Sequence, residues 1–149
     1  TVFAPSHDAG ESVDYRVDCG DAAVGILTDT GFVPEPAAAA LTGVDLLVLE
    51  SNHDVEWLRS GPYPYSLKQR ILGQRGHLSN EDAAAFARRM AECGTRCIVL
   101  AHLSRENNTP QRALAVMETA LSGLDVTVEV APRGELSACY GAEVALCRK

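Results

Sequence analysis

The amino-acid sequence predicts an α/β fold. Two continuously apolar runs, residues 44–49 and 96–101, are typical of strands buried in a parallel sheet. Helix patterns alternate with strand patterns along the chain, and this alternation favours a sheet covered by helices. The 149 residues contain no internal repeat, low-complexity segment or linker, and they are enough for one domain with a real core.

Seven segments have strand patterns: residues 1–4, 13–19, 23–27, 44–49, 96–101, 125–131 and 142–146. The turn at residues 19–21 predicts a hairpin between the second and third of them. The two continuously apolar strands require cover on both sides of the sheet.

Five segments have helix patterns: residues 34–41, 54–60, 65–72, 80–93 and 110–121. Pro34 in the first turn and Gly43 as the stop define the first helix. The string GPYP at residues 61–64 separates the second helix from the third.

The last two helices carry the clearest start signals. Ser79 is a predicted N-cap, with Asp82 three residues later in a capping-box frame, and Gly94 is the predicted stop. Thr109 and Pro110 predict an N-cap followed by a proline at the first helical position, with the end near Gly123.

Composition narrows the functional classes. The net charge of −7 argues against a bulk polyanion binder, although a local basic strip beside a metal site stays compatible with it. The five cysteines form no CxxC pair, which argues against a zinc ribbon and favours thiols in a reducing cytoplasm. No stretch is long and apolar enough to predict a membrane span.

The first residues indicate that no signal peptide is present among them and that the chain is part of a longer protein. Residues 1–5 lack a methionine and have no basic or apolar region of a signal peptide. The chain also begins in a strand pattern, so we expect a fragment of a longer protein.

Polar side chains collect where the predicted strands end and the helices begin. They are His7, Asp29, Glu50, Asn52, His53, Asp54, His77 and His102, a set that contains all four histidines of the chain. Such positions meet at one edge of an α/β sheet, where sites are built. Imidazoles and carboxylates suit a borderline divalent ion such as Zn²⁺ or Mn²⁺. An aspartate at a strand end can bridge two ions, and a two-metal site suits phosphodiester hydrolysis.

The order of motifs resembles that of the YycJ/WalJ-like exonucleases, which are metallo-β-lactamase-fold nucleases related to ribonuclease Z. The matching strings span most of residues 1–130. They are SHDA at 6–9, TDTG at 28–31, ESNHD at 50–54, GPYP at 61–64, LK at 67–68, RI at 70–71, GHLSN at 76–80 and AHLS at 101–104 with NN at 107–108. The ESNHD and GHLSN strings together are highly specific to this group.

The resemblance implies a role for four residues. It implies that His7 is a ligand of one metal ion, that Asp29 bridges both ions and contributes to catalysis, and that His102 is a ligand of the second ion. It implies that His77 lies beside the two divalent ions, Zn²⁺ or Mn²⁺, and acts on the scissile phosphate or the leaving oxygen. The implied substrate is nucleic acid, with DNA expected.

The resemblance also implies a fold and a boundary. Residues 1–149 correspond to the C-terminal half of a metallo-β-lactamase-fold domain: half of an αββα sandwich, with a mixed sheet and helices on one face. The family's HxHxDH motif, which supplies most metal ligands, is absent from these residues. We therefore expect this chain alone to bind metal weakly, to turn over little, and to self-associate through its uncovered sheet face.

Several residues keep a second interpretation. Asp54 is at least as well explained as a helix cap, and residues 107–108 as shaping the loop after His102. For Tyr63, Trp57 and Tyr65, core or rim packing is the commoner explanation, and base stacking is the alternative. A solvated face and phosphate contacts are equal alternatives for the basic residues near the motifs, which are Arg59, Lys68, Arg70, Arg75 and Arg105.

Two other functions compete with the nuclease. Another hydrolase of the same superfamily is disfavoured because only 21 residues separate His7 from Asp29 and 47 separate Asp29 from His77, which leaves no room for an arm or a cap domain. A noncatalytic fragment with an assembly or binding role stays open because the HxHxDH motif is missing.

Overall fold

The computed structural model describes residues 1–3 and 13–136. Within these residues the strands are β1 Val2–Phe3, β2 Asp14–Cys19, β3 Ala22–Leu27, β4 Leu46–Glu50, β5 Cys97–Ala101 and β6 Thr127–Val130. The helices are α1 Glu35–Leu41, α2 Val55–Ser60, α3 Tyr65–Ile71, α4 Asn80–Glu92 and α5 Pro110–Ala120. The predicted strand over residues 142–146 lies outside the described residues.

The described strands form one mixed sheet in the order β1-β2-β3-β4-β5-β6. The pairs β1–β2 and β2–β3 are antiparallel, and β3 through β6 run parallel. Each parallel crossover advances in the same direction across the sheet. Because such crossovers are right-handed, α1, α4 and α5 lie on one face. The predicted α/β fold, with a mixed sheet and helices on one face, is confirmed.

The core lies between that sheet face and the helices. Leu27, Leu49 and Leu100 from the strands are fully buried, together with Leu41 of α1 and Met117 of α5. The opposite face is less well covered: Val24, Ile26 and Val48 are half-buried, and Tyr15 and Val17 on β2 are exposed. Burial on both faces, expected for both apolar strands, therefore holds for β5 and not for β4.

The five described helices begin and end within one or two residues of the predicted positions, and the predicted caps are formed. The Ser79 Oγ accepts a hydrogen bond from the Asp82 backbone N–H at 3.0 Å and caps α4. The Thr109 Oγ1 accepts one from the Arg112 N–H at 3.2 Å and caps α5. Gly43 has a φ of 74°, the left-handed conformation that ends a helix at low cost. None of the described helices is long and apolar enough to cross a membrane.

Candidate metal and phosphate centre

The carboxyl ends of β3, β4 and β5 meet at one edge of the sheet. Leu27 pairs with Leu49, and Glu50 pairs with Ala101. Asp29 comes two residues after β3, Glu50 is the last residue of β4, and His102 directly follows β5. Parallel register therefore brings these three side chains together, as expected for the edge where α/β proteins bind ligands.

Asp29 and His102 both have left-handed backbones, with φ of 54° and 55°. They are the only non-glycine residues with positive φ in the described part of the chain. A residue held in this region costs about 1–3 kcal/mol and persists where its surroundings fix it. One contact that fixes His102 is a hydrogen bond of 2.8 Å, which the Asn52 side-chain amide donates to the His102 carbonyl oxygen. The strain lies on the two residues that the sequence predicts as metal ligands.

Glu50 is the centre of the site. Its side chain is fully buried, and its Oε1 accepts hydrogen bonds from the Nδ1 of His77 at 2.8 Å and of His102 at 2.7 Å. Its Oε2 accepts the backbone N–H groups of Thr30 at 3.0 Å and Leu78 at 3.3 Å. Burial acts to raise the pKa of Glu50, but these hydrogen bonds and the charge of His77 outweigh it and bring the pKa below its ordinary value. Glu50 is therefore an ionised carboxylate with both oxygens occupied.

The two histidines are oriented by that carboxylate. A neutral imidazole that donates from Nδ1 keeps its acceptor at Nε2, so Glu50 selects the tautomer that turns the His102 Nε2 to the open side. This atom lies 3.6 Å from Asp29 Oδ1, and the Nδ1 of His77 lies 3.8 Å from the same oxygen. The hydrogen bond to Glu50 raises the pKa of His102 in spite of its partial burial. The His77 and His102 ring centroids are 5.2 Å apart.

This geometry fits part of a divalent-metal site. One ligand atom from each of Asp29, Glu50, His77 and His102 lies within 4.8 Å of the others. Because both Glu50 oxygens already accept hydrogen bonds, the candidate metal ligands are Asp29, His77 and His102, with Glu50 as the orienting carboxylate behind them. An imidazole and a carboxylate suit Zn²⁺ or Mn²⁺.

The structure brings together three of the four residues that the sequence analysis assigns to the site. Asp29, His77 and His102 lie together, whereas His7 lies outside the described residues. Glu50 was grouped with the polar strand ends but was given no role, and its central position was missed. The available signal was its place as the last residue of a buried strand, at the edge of the sheet where Asp29 and His102 also lie. Asp54 caps α2: its Oδ1 accepts from the Trp57 N–H at 2.8 Å.

A buried polar network supports the site from behind. The Asn108 amide donates to the Asn80 Oδ1 at 2.8 Å and to the carbonyl of Ser51 at 2.9 Å, and the Ser51 hydroxyl donates to the same Asn80 oxygen at 2.7 Å. This network joins the start of α4 to the loop after β4 and to the loop before α5. It fixes the segments that carry His77 and Asn52, and it agrees with the expectation that Asn108 shapes its loop.

His53 is buried beside this network, with 1% of its surface exposed. Neither ring nitrogen has a hydrogen-bond partner in the part of the chain that the structure describes. Burial lowers the pKa of His53 to about 4. His53 is therefore neutral at pH 7, and its ring lies behind the site as a packed core side chain.

Comparison with known proteins identifies relatives with a named activity. The chain is 44% identical over 128 residues to the exodeoxyribonuclease WalJ of Streptococcus pneumoniae, a match that covers 86% of this chain and 48% of the relative. It is 43% identical over 111 residues to the exodeoxyribonuclease YycJ of Bacillus anthracis, covering 74% of this chain and 42% of that protein. The chain therefore spans about half the length of the curated relatives it matches, and the predicted resemblance is confirmed over that part.

No protein-family model matches the chain. A crystal structure of a diphosphatase from the PhnP family is similar with a TM-score of 0.45 and 15% identity, over 83% of this chain and 43% of that one.

Proposed function

We propose that the protein carrying this chain is a metal-dependent phosphodiester hydrolase that degrades DNA. The observation that carries the proposal is the group formed by Asp29, His77 and His102 around the buried carboxylate of Glu50, in a chain homologous to exodeoxyribonucleases. Because the chain spans about half of those relatives, the activity belongs to the whole protein.

In this proposal Asp29, His102 and His7 would hold two divalent metal ions, Zn²⁺ or Mn²⁺, with Asp29 as a ligand common to both. The left-handed backbones of Asp29 and His102 and the Nδ1 hydrogen bond from His102 to Glu50 support this assignment. When bound, such ions activate water and offset the negative charge of the phosphate.

His77 acts on the leaving oxygen. Its Nδ1 lies 2.8 Å from Glu50 Oε1, so Glu50 orients the ring, and His77 would give the proton from its Nε2. Proton transfer from Nε2 to the leaving oxygen returns His77 to the neutral tautomer that Glu50 already favours. Glu50 thus keeps His77 oriented in both protonation states, and it does not itself carry the proton.

The cellular setting follows from the same proposal. The thiols of Cys19 and Cys93 are exposed and form no disulfide, which is usual for a reducing compartment. We propose a cytoplasmic location, a nucleic-acid substrate and no membrane association.

A noncatalytic assembly role is the second candidate, and it is favoured by the sheet face that the described residues cover only in part. Val24, Ile26 and Val48 are half-buried on the face opposite the helices. A partly covered apolar sheet face favours association with a second surface. We propose that this chain, produced by itself, associates through that face.

The test uses the full-length protein that carries this chain and linear DNA. After treatment with chelator, hydrolysis is expected to stop, and Mn²⁺ or Zn²⁺ is expected to restore it. Matched single-stranded RNA measures the preference for DNA. Undiminished hydrolysis in excess chelator would rule out the metal-dependent mechanism, and no hydrolysis with any divalent ion would favour the assembly role.

A further inference from the structure

A cavity of about 380 Å³ opens beside the candidate centre, between α3 and the loop after β5. His77 and His102 of the candidate centre line it, together with Tyr63, Leu67, Arg70 and Arg75. The cavity is large enough for one small ligand, and it is continuous with the atoms that would act on a phosphate.

Two arginines line the cavity in a chain that is acidic overall. They are Arg70 and Arg75, and no aspartate or glutamate is among the described residues that line it. Both arginines are exposed, although the chain carries a net charge of −7. A local cationic surface of this kind attracts anions against the overall charge, and guanidinium groups bind phosphate oxygens in pairs.

The cavity also has an apolar side. Tyr63 is half-buried, and Leu67 and Ile71 of α3 and Leu103 of the loop after β5 also line the cavity. A phenol ring beside aliphatic side chains is the surface on which a nucleobase stacks.

The segment that carries Arg75 and His77 is held close to α3. Gly76 is buried, and a Cβ at this position would collide with the carbonyl oxygen of Ile71. That same oxygen accepts the His77 backbone N–H at 3.1 Å. The close approach fixes Arg75 and His77 relative to each other, so a phosphate bound at Arg75 would have a defined position relative to the His77 ring.

We propose that this cavity binds the nucleotide adjacent to the scissile phosphate, with its own phosphate on Arg75 and Arg70 and its base against Tyr63. The inference rests on the proposed nuclease function and names a substrate subsite for it. One unpaired nucleotide is the unit that the cavity volume accommodates.

The test is equilibrium binding of deoxyadenosine monophosphate to the full-length protein in excess chelator, measured by calorimetry. Arg75→Gln is compared with Arg88→Gln, which removes the same charge from α4, where Arg88 pairs with Glu92. Tyr63→Leu is compared with Tyr65→Leu, because Tyr65 is 76% exposed and lies outside the cavity lining. Deoxyadenosine and inorganic phosphate are the partial probes.

The monophosphate is expected to bind roughly tenfold more weakly to Arg75→Gln and to Tyr63→Leu, the scale of one charge-assisted hydrogen bond or one stacked base. Both control variants are expected to bind like the parent, and both partial probes more weakly than the monophosphate. Control-like affinity in Arg75→Gln and Tyr63→Leu, or phosphate binding as tight as that of the nucleotide, would overturn the subsite. Because the monophosphate is measured without metal, the two proposals can fail separately. If the full-length protein hydrolyses DNA but does not bind the monophosphate, only the subsite is wrong. If it binds the monophosphate but hydrolyses no DNA, only the nuclease function is wrong.

Discussion

Replacing Glu50 by glutamine tests whether one buried carboxylate organises the site. Glu50 accepts four hydrogen bonds, two from imidazoles at its Oε1 and two from backbone N–H groups at its Oε2. Glutamine has one acceptor oxygen and one NH₂ group. With the oxygen towards the imidazoles, the NH₂ group faces two backbone donors; in the other orientation it faces the two Nδ1 atoms, which accept only if both imidazoles move their proton to Nε2. The substitution is isosteric, and therefore it changes hydrogen bonding without opening a cavity.

The expected loss of stability follows from that count. With the amide oxygen towards the imidazoles, two buried backbone donors lose their acceptor at about 1–3 kcal/mol each, and relief from burying a charge offsets part of this. The other orientation loses less, because the imidazoles change tautomer, so we expect Glu50→Gln to lower the free energy of unfolding by about 1–4 kcal/mol in urea denaturation. The matched control is Glu56→Gln on α2, an exposed residue paired with Arg59, for which a change within about 0.5 kcal/mol is expected.

A second readout separates positioning from stability. In the parent, the hydrogen bond to Glu50 raises the pKa of His102 and keeps its proton on Nδ1. In Glu50→Gln the pKa of His102 is expected to fall, because partial burial then acts without the carboxylate, and the Nδ1–H tautomer loses its preference. Nitrogen-15 NMR of the imidazoles in chelator measures both. An unchanged His102 pKa, together with stability equal to that of Glu56→Gln, would refute the reasoning.

Three further predictions concern other parts of the account. His77→Ala should slow hydrolysis by the full-length protein by ~10²-fold or more while its metal content, measured by emission spectrometry, stays unchanged; a parental rate would remove His77 from the chemistry. Burial lowers the pKa of His53 from its ordinary value of 6.5 to about 4 in the folded chain, so the unfolded chain takes up the proton first as the pH falls. Stability should therefore fall by up to about 3 kcal/mol as the pH drops from 6.5 to 4. Urea titrations of His53→Leu should lack this part of the pH dependence, and an identical slope in parent and variant would contradict a neutral buried His53. Finally, this chain produced alone should sediment as a dimer or larger species, and a clean monomer that binds no apolar dye would count against association through the sheet face.

Local signals made much of the fold predictable. Ser79 with Asp82, Thr109 with Pro110, and Gly43 each satisfy or end a helix through their own side chain or backbone, so the sequence near them is sufficient. Asp29 and His102 were predictable as neighbours because each follows a strand, and parallel strands end at the same edge. The ends of β4 and β6 were less predictable, because pairing with neighbouring strands decides where a strand begins.

The role of Glu50 required the register of the sheet. A glutamate after an apolar strand can face solvent, a metal ion or a histidine, and only the alignment of β4 with β5 places it under His102. The left-handed backbones of Asp29 and His102 also depend on loop closure that no residue type specifies. The same is true of the cavity beside His77, since its walls come from α3 and from the loop after β5. The assignment of residues 1–149 to one half of a larger domain, and of His7 as a ligand, stay predictions.

The most direct test of the central claim is metal-dependent hydrolysis of linear DNA by the full-length protein with Asp29→Asn. Asparagine tolerates the left-handed backbone at this position and removes only the charge of the proposed bridging ligand. Asp125→Asn, at a fully exposed aspartate, is the matched control. The account predicts loss of hydrolysis and of bound metal in Asp29→Asn, with the folded state and the control unaffected. Parental hydrolysis with parental metal content in Asp29→Asn would contradict it.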